Sequence, residues 1–318
     1  MGQSAERHCS SGTSQRIASP PMSRTTAVFL FLIIIALLVI GVAGFVMLGQ
    51  QVVVREAAVA AEPNTAAHEV DTPIPIVYQT EIANWEPNPT SMLALKVLKH
   101  EHFTVGYDEI AKNPAWVSYR LSGPITFHGS EDRPSTFATD FKTAAHVAHR
   151  DYSNSGFDRG HLCPAYAIYS RFGMAGMKST FVMSNVIPQH HGLNAGEWEQ
   201  LEELVAGRSG KSDGWAGKYG GSWVINGPIY DLRPAADQLK NGTWIPGACF
   251  SVVLRQVDGR WDALSFVMPN TKDVRGPVVR YLTTIAVIDR KAQLDLLAGM
   301  PVVEKAALEQ VNAIALWR

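Results

Sequence analysis

One apolar stretch, residues 27–48, divides the chain into two parts of different character. It contains no charged residue, and Gly41 and Gly44 are its only positions that are not strongly apolar. A helix of this length spans roughly 33 Å, close to the hydrocarbon thickness of a bilayer. A buried core helix normally keeps a polar face. A cleaved signal peptide, the stronger alternative, normally has a shorter apolar region with its cleavage site close behind, whereas the nearest small-residue pattern here is at residues 58–60. We therefore predict an uncleaved transmembrane signal anchor over residues 27–48.

The charges that flank this stretch predict its orientation. Arg7, Arg16 and Arg24 precede it, whereas only Arg55 follows it closely. By the positive-inside rule, residues 1–26 form a cytoplasmic tail, and the rest of the chain lies in the periplasm or at the cell exterior. A protein of the mitochondrial inner membrane that faces the intermembrane space would carry the same pattern.

Residues 49–84 have the composition of a linker. They contain three prolines, many Ala and Val and an excess of acidic residues, without sustained periodicity. Such a composition favours an extended tether. The globular domain is therefore predicted to comprise residues 85–318.

The composition of the chain excludes several classes of protein. With 46% hydrophobic and 18% charged residues, it is not a disordered polymer, a collagen-like fibre or a coiled-coil rod. Residues 85–318 hold 24 Lys and Arg against 23 Asp and Glu, which excludes a general cationic coat for nucleic acid. Cys9, Cys163 and Cys249 are too few for a disulfide scaffold and lack the paired spacing of zinc ligands. Cys163 fits a small buried residue, and a disulfide between Cys163 and Cys249 stays open.

Strand-like runs dominate the globular domain, with turn residues between them. They cover residues 115–121, 179–183, 222–225, 250–254 and 263–267. Helix-like runs, in which apolar residues recur every three or four positions, cover residues 195–206 and 305–317. Because the strands cluster rather than alternate strictly with helices, we expect an α+β fold rather than a doubly wound sheet.

The sharpest local pattern is Asp158-Arg159-Gly160-His161. A histidine can accept a proton from water near neutral pH, and the planar fork of an arginine can donate two hydrogen bonds to a phosphate. The glycine between them predicts a tight turn that lets both side chains address one point. By itself, this tetrapeptide also fits an ordinary surface turn.

A second pattern follows at residues 194–205, where Trp198, Leu201 and Val205 form an apolar stripe on a predicted helix. Asn194 and Glu202 are eight positions apart, about two helical turns, so their side chains can project from the same side. An amide oxygen and a carboxylate there could hold a hydrated hard cation. The same residues also fit a helix in which Asn194 is the N-cap and Glu202 is solvated.

Together, these two patterns resemble the DNA/RNA non-specific endonuclease family, which includes the endonuclease-G-like enzymes. Other segments resemble, in the same order, the family's strands and its arginine-bearing segment. They are residues 105–109, 113–121, 133–140, 151–157, 224–230, 245–246 and 266–270. The resemblance covers roughly residues 103 to 301 and is weaker at residues 287–290. It implies a ββα-metal (His-Me finger) core, in which two strands and a helix grip one divalent ion, with a mostly antiparallel central sheet flanked by helices.

The resemblance also implies a role for each candidate site residue. His161 would be the general base that activates water. Asn194 would be the only direct protein ligand of Mg²⁺, for which Mn²⁺ can substitute, and waters would fill the other positions. Such sparse ligation suits Mg²⁺, which dehydrates reluctantly. Glu202 would hold one of those waters.

The two arginines are implied to act on the phosphate. Arg133 would bind the scissile phosphate and stabilise the negative charge that develops on it. Arg159 would assist there or organise the motif. Asp158 and Asn185 would orient the loop and the strand by hydrogen bonds.

These roles imply a Mg²⁺-dependent endonuclease that is anchored in the membrane through residues 27–48 and cleaves DNA and RNA. No base-reading helix is evident, so sequence preference should be low. Two rivals are a catalytically silent relative, which binds nucleic acid or a partner protein at the membrane, and a phosphodiesterase or phosphatase acting on a smaller substrate. The first would lack the base or the metal ligand, and the second would need more direct carboxylate ligands. The sequence leaves homodimerisation and an inhibitor protein open.

The remaining histidines receive simpler interpretations. The pair His190-His191 is interpreted as a loop near the site rather than as metal ligands. Four others are expected to be surface residues: His100, His102, His146 and His149.

Overall fold

Most of the predicted strands lie in one large antiparallel sheet of the computed structural model, which describes residues 86–90, 94–129, 132–230 and 237–318. All of these residues belong to one compact unit, Tyr78–Arg318. In chain order the strands are β1 (Asn88–Pro89), β2 (Lys96–Lys99), β3 (Phe103–Asp108), β4 (Asn113–Ser122), β5 (Asp158–His161), β6 (Val186–Gln189), β7 (Gly221–Ile229), β8 (Ala248–Val257), β9 (Arg260–Pro269), β10 (Leu282–Thr283) and β11 (Leu294–Asp295). The large sheet has seven strands in the order β10-β9-β8-β7-β4-β3-β2, and every neighbouring pair is antiparallel.

The β8–β9 hairpin shows how local sequence determines this sheet. Each strand has ten residues, and the two pair from Ala248 opposite Pro269 to Val257 opposite Arg260. The two residues between them, Asp258 and Gly259, both have positive φ, 49° and 73°. An Asp-Gly pair in this conformation makes the tight turn whose twist matches that of antiparallel strands.

Helices cover both faces of the sheet. They are α1 (Ala165–Thr180), α2 (Trp198–Ala206), α3 (Gly214–Lys218), α4 (Ile285–Ala292) and α5 (Val302–Glu309). Successive residues of β4 point to opposite faces, as the period of a strand requires. Val117 packs in a core with Ile168 and Trp198, on the side of α1 and α2. Trp116 packs in a second core with Ile288, on the side of α4.

A separate two-stranded sheet, β5 paired with β6, lies beside the first of these cores. Helix α1 begins four residues after β5 and is broken at Gly173, where φ is 72°. A 3₁₀ turn, Met183–Asn185, leads from α1 into β6. A π turn, Leu193–Glu197, then leads into α2.

The structure confirms the α+β class and most of the predicted elements. The predicted strands at residues 115–121, 222–225, 250–254 and 263–267 lie in β4, β7, β8 and β9. The strand predicted at residues 179–183 is wrong, because this segment is the end of α1 and the start of a 3₁₀ turn. The helix predicted over residues 305–317 starts earlier and ends at Glu309, and the ring of Trp317 instead contacts Trp215.

The N-terminal predictions fall outside the part of the chain that the structure describes. These are the tail at residues 1–26, the membrane anchor at 27–48 and the linker at 49–84. Among the described residues, no helix combines the length and the apolar character needed to cross a bilayer.

Candidate active site

The motif Asp158-Arg159-Gly160-His161 forms β5, which is one strand of a ββα unit made by β5, β6 and α2. Gly160 lies opposite Ile187 within the strand pair, so the predicted tight turn is wrong. A Cβ atom at position 160 would lie 1.9 Å from Oε1 of the buried Gln189. The glycine is therefore needed for close packing between the two strands.

His161 ends β5 and is buried, with only 7% of its surface exposed. The rings of Phe137 and Phe181 flank its imidazole, with centroids 4.8 and 4.9 Å away. Its Nε2 atom is buried and has no hydrogen-bond partner among the described residues. Burial, with a further contribution from the charge of Arg133, lowers the pKa of His161 to about 3. The ring is therefore neutral near neutral pH and keeps a lone pair that can accept a proton.

Arg133 lies on the surface next to this buried histidine. Its guanidinium carbon is 5.4 Å from the centroid of the Phe181 ring, which in turn contacts His161. The charge of Arg133 opposes protonation of His161 and favours ionisation of Glu202. The charge of Arg133 therefore acts on the protonation of both His161 and Glu202.

Glu202 lies on α2 and is partly buried, so the interpretation of this residue as a solvated carboxylate is wrong. Burial, with a further contribution from the Glu199 carboxylate, raises the pKa of Glu202 to about 8, although the charge of Arg133 opposes the rise. A cation that approached Glu202 would favour its ionised form.

Arg159 makes its hydrogen bonds to the protein rather than leaving its guanidinium free. Its Nε and Nη2 atoms donate to the carbonyl oxygen of His149, at 3.1 and 2.8 Å. The imidazole of His149 accepts a hydrogen bond from the backbone N–H of Phe137, at 3.2 Å. Because Phe137 packs on His161, Arg159 supports the wall of the histidine pocket. Of the two roles implied for Arg159, this geometry favours organising the motif over contacting the phosphate.

Asn194 lies in the π turn before α2, and the N-cap of this turn is Gly192. The alternative interpretation of Asn194 as a helix cap is therefore wrong. Its Nδ2 atom donates to Oδ2 of Asp158, at 2.9 Å. The same carboxylate oxygen lies 2.8 Å from Nδ1 of His191. The Nδ2 atom of Asn194 therefore faces Asp158 of β5. The amide oxygen points away from this contact and is available as a metal ligand.

Asn185 holds the segment around the histidine in place, as the sequence predicted. Its Oδ1 accepts the backbone N–H of Cys163 at 2.8 Å. Its Nδ2 donates to the carbonyl oxygens of Cys163 and Thr180 at 3.0 and 3.1 Å. Cys163 and Cys249 are both buried and free, so no disulfide joins them.

The structure thus gathers the predicted site residues in two linked groups. Arg133, His161 and Glu202 share one group, and Asn194 is tied to the opposite end of β5 through Asp158. Sequence reasoning missed Phe137 and Phe181, because only the folded chain brings these rings to His161. It also missed the partner of His191, since residue 191 meets residue 158 only after β6 pairs with β5.

Of the four histidines expected at the surface, His146 is exposed, whereas the other three make structural contacts. His149 accepts the Phe137 N–H, and His102, with 15% of its side chain exposed, stacks on Phe172.

His100 has only 12% of its side chain exposed and lies 3.5 Å from the Asp140 carboxylate. The hydroxyl of Ser184, just before β6, donates to the same carboxylate at 2.6 Å. The surface interpretation of His100 is therefore wrong.

The donor atoms around β5 fit a hard divalent cation. The free amide oxygen of Asn194 and the Glu202 carboxylate are oxygen donors, which Mg²⁺ and Mn²⁺ prefer. Within the described part of the chain, a group of three His, Cys, Asp or Glu side chains that could hold a metal occurs only at Asp289, Asp295 and Glu309, which lie on α4, β11 and α5. The described residues therefore provide no multi-carboxylate, two-metal site at β5.

Comparisons with known proteins identify the family to which the chain belongs. Residues 87–302 match the DNA/RNA non-specific endonuclease family. The mitochondrial Endonuclease G of Homo sapiens is 32% identical over 211 residues, which cover 61% of this chain and 67% of that protein. The Mitochondrial nuclease of Saccharomyces cerevisiae is 26% identical over 237 residues, covering 67% and 69%. The mitochondrial Nuclease EXOG of Danio rerio is 29% identical over 192 residues, covering 54% and 51%. The matches thus span from about half to about two thirds of these relatives' lengths.

A solved structure shows the same fold. A chain in the crystal structure of the EndoG/EndoGI complex, which addresses the mechanism of EndoG inhibition, superposes with a TM-score of 0.54. It shares 24% sequence identity and covers 67% of this chain and 90% of its own length. The predicted α+β class with its antiparallel sheet, the enzyme class and the family are therefore confirmed, and the chain belongs to the DNA/RNA non-specific endonuclease family.

Proposed function

We propose that the protein is a metal-dependent endonuclease that hydrolyses phosphodiester bonds of DNA and RNA with little sequence preference. The observation that carries this proposal is the pairing of a buried, neutral His161 with an exposed Arg133 that acts on both His161 and Glu202. Phosphodiester hydrolysis needs a base for water and positive charge at the phosphate. These residues supply both at one place on the surface.

His161 acts as the general base. Its low pKa keeps the imidazole unprotonated across the neutral range, so it is always ready to accept a proton from water. The same low pKa makes it a weak base while the site is empty. The phosphodiester monoanion of a bound substrate stabilises the imidazolium form and so raises the basicity of His161.

Arg133 binds the scissile phosphate. Its guanidinium is exposed, so it reaches a nucleic-acid backbone without unfolding any part of the site. The Phe181 ring beneath it restrains its position. Arg159 is already bonded to the His149 carbonyl, and its part is to support the Phe137 side of the histidine pocket.

Asn194 and Glu202 hold the metal site. Asp158 accepts a hydrogen bond from the Asn194 amide, so the amide oxygen would be the direct metal ligand, and Glu202 would hold a water of the metal. When bound, Mg²⁺, or Mn²⁺ in its place, supplies positive charge to the phosphate and the leaving oxygen.

Substrate binding in this proposal depends on the phosphate backbone. The site residues are an arginine, a histidine and oxygen ligands, which suit a phosphate and a metal rather than the edges of bases. Contacts of this kind do not discriminate between bases, and their strength falls steeply with salt concentration.

We also propose that the protein is anchored in a membrane with its nuclease domain outside the cytoplasm. Residues 27–48 act as a signal anchor, with the N-terminus in the cytoplasm and the nuclease domain in the periplasm or at the cell exterior. The alternative is the mitochondrial inner membrane, which fits the relatives that are named as mitochondrial nucleases. Protease digestion of intact cells, with lysed cells as the control, distinguishes the two sides of the membrane.

A nuclease assay with a chelator tests the proposed activity. The full-length chain is incubated with supercoiled plasmid DNA and, separately, with RNA, in Mg²⁺, in EDTA, and in EDTA followed by excess Mg²⁺ or Mn²⁺. We expect nicking and degradation of both substrates with Mg²⁺, complete arrest by EDTA, and recovery with either metal. A chain that bound both substrates without cleaving them would contradict the proposal and indicate a silent relative.

A further inference from the structure

The exposed side chain of His191 lies beside the proposed magnesium site, in contact with Asp158. Oδ2 of Asp158 lies 2.8 Å from Nδ1 of His191, and the side chain of His191 is 81% exposed. Asn194 reaches the same Asp158 oxygen through its Nδ2. An exposed imidazole therefore shares one carboxylate oxygen with the residue that is proposed to bind Mg²⁺.

The backbone on both sides of His191 is held in place. The N–H of His190 donates to Oδ1 of Asn270 at 2.8 Å. On the other side, Gly192 lies so close to the backbone of Lys272 that a Cβ atom at position 192 would be 2.1 Å from its carbonyl oxygen. His191 thus meets Asp158 from a fixed position although its ring faces solvent, and a fixed pair of donors loses little freedom on binding a ligand.

A carboxylate oxygen with an imidazole nitrogen is a donor set for Zn²⁺ rather than for Mg²⁺. Zinc takes ligands of both kinds at about 2.0–2.2 Å, whereas magnesium prefers oxygen alone. Two such ligands in tetrahedral geometry would be roughly 3.3 Å apart. The Asp158 and His191 atoms need to separate by only a few tenths of an ångström from their present 2.8 Å to reach this spacing.

We propose that Asp158 and His191 form a Zn²⁺ site beside the magnesium ligand Asn194. The Nδ1 lone pair of His191 is a ligand when the ring hydrogen is on Nε2, a carboxylate oxygen of Asp158 is the second ligand, and water completes the coordination. With its oxygen engaged by Zn²⁺, Asp158 no longer fixes the amide of Asn194. The proposal that zinc antagonises magnesium-supported cleavage rests on the proposed function, whereas the zinc site itself does not.

Direct metal binding tests the site without relying on activity. The full-length chain also carries the adjacent pair His8 and Cys9, which could bind zinc independently. His8→Ala and Cys9→Ser are therefore introduced into every protein compared. Zn²⁺ binding is measured by calorimetry, and Co²⁺ is used as a probe whose visible absorption changes when protein ligands replace its waters. The variants are His191→Ala and, as the control, His128→Ala, which removes another exposed histidine, one that lies 3.0 Å from the Ser209 hydroxyl.

The expected result is a loss of Zn²⁺ affinity of about tenfold or more, with loss of the Co²⁺ absorption band, in His191→Ala but not in His128→Ala. In a separate assay with Mg²⁺ present, the Zn²⁺ concentration that halves DNA cleavage should rise by a similar factor in His191→Ala. Equal Zn²⁺ affinity in the His191→Ala variant and its parent would overturn the zinc site. If Zn²⁺ binds as expected and no protein cleaves DNA with Mg²⁺, the zinc site stands and the proposed nuclease function fails.

Discussion

The seven-stranded sheet and the β5–β6 unit differ in how they are stabilised and in what they contain. Strands β8 and β9 have ten residues each and bury apolar side chains such as Phe250 and Phe266. Strands β5 and β6 have four residues each, and β5 consists of Asp158, Arg159, Gly160 and His161. A strand pair as short as this one is not independently stable in water. The site therefore depends on the large sheet for its stability, whereas the large sheet has no need of the catalytic side chains.

Buried amides connect the two regions. Asn226 of β7 donates to the carbonyl oxygen of Leu162, which follows His161, at 2.6 Å. Asn270, just after β9, donates to the carbonyl oxygen of Pro188 in β6 at 3.0 Å and accepts the N–H of His190 at 2.8 Å. Substitutions can thus be made on the site side, on the sheet side or at the connection, and each should give a different combination of effects.

His161→Ala is expected to give the largest loss of cleavage rate with the fold retained. Loss of a general base lowers the rate by about 10²- to 10⁴-fold. The fold should persist, because Nε2 of His161 has no partner among the described residues whose loss would leave a second polar group unsatisfied. The measurement is plasmid cleavage with Mg²⁺, together with DNA binding and the unfolding midpoint of the same protein. His146→Ala, which removes an exposed histidine, is the control. Cleavage by His161→Ala at the parental rate would remove His161 from the mechanism.

Phe250→Ala in the large sheet is expected to lower stability while the cleavage rate of the folded protein is nearly unchanged. The ring is fully buried in the core that contains Trp116 and Ile288. Truncating a buried phenylalanine lowers the free energy of unfolding by about 3–5 kcal/mol. Chemical denaturation measures this loss, and the cleavage rate per folded molecule should stay within a few-fold of the parent. A large loss of rate in fully folded protein would show that the sheet and the site are not separable in this way.

The same contrast explains what could be predicted from the sequence. The runs that became β4, β7, β8 and β9 are rich in apolar and β-branched residues, so their pattern was readable. The sequence of β5 has no apolar alternation, and its strand conformation depends on pairing with residues 186–189. The segment at residues 179–183 has strand-like composition, but tertiary packing places it at the end of α1.

The site was predictable in its residue types but not in its contacts. The motif and its resemblance to a family indicated His161 and Asn194. The bond from Arg159 to the His149 carbonyl, and the shared oxygen of Asp158, join residues ten and more positions apart. Such contacts are set by strand register and by the π turn, neither of which a sequence pattern specifies.

An intermediate effect is expected at the connection, in Asn270→Ala. This change leaves the carbonyl oxygens of Pro188 and Pro246 and the N–H of His190 without their partner. Each buried group left unsatisfied costs about 1–3 kcal/mol, although water that enters can recover part of this. Because β6 leads into the π turn that carries Asn194, both the unfolding free energy and the cleavage rate should fall.

The matched control for Asn270→Ala is Asn113→Ala. Asn113 is equally buried and donates to Tyr230 and to the Trp244 carbonyl, neither of which belongs to the β5–β6 unit. This control should lose stability at a nearly unchanged cleavage rate. If both variants lost stability alone, the connection would not transmit order to the site.

The smallest effect on cleavage is expected from a carboxyl on the sheet side, Asp289 of α4. Burial, with further contributions from Asp295 and Glu309, raises its pKa to about 7, although the N–H of Leu296 and the charge of Lys305 oppose the rise. Between about pH 4, the ordinary range of an aspartate, and pH 7, the folded chain keeps a proton that the unfolded chain releases. The contribution of Asp289 to stability is therefore lost as the pH rises through this window.

Asp289→Asn removes this titration and keeps an oxygen that can accept the Leu296 N–H. The difference in unfolding free energy between variant and parent, measured by denaturation at pH 4, 5, 6 and 7, should move in favour of the variant as the pH rises. Asp273→Asn, at an exposed position, controls for the loss of one negative charge. A difference that did not change with pH would mean that the Asp289 carboxyl is as well solvated in the folded chain as in the unfolded one. DNA cleavage by folded Asp289→Asn should match the parent throughout, because α4 packs on the face of the sheet opposite α2 and contributes nothing to the β5–β6 unit.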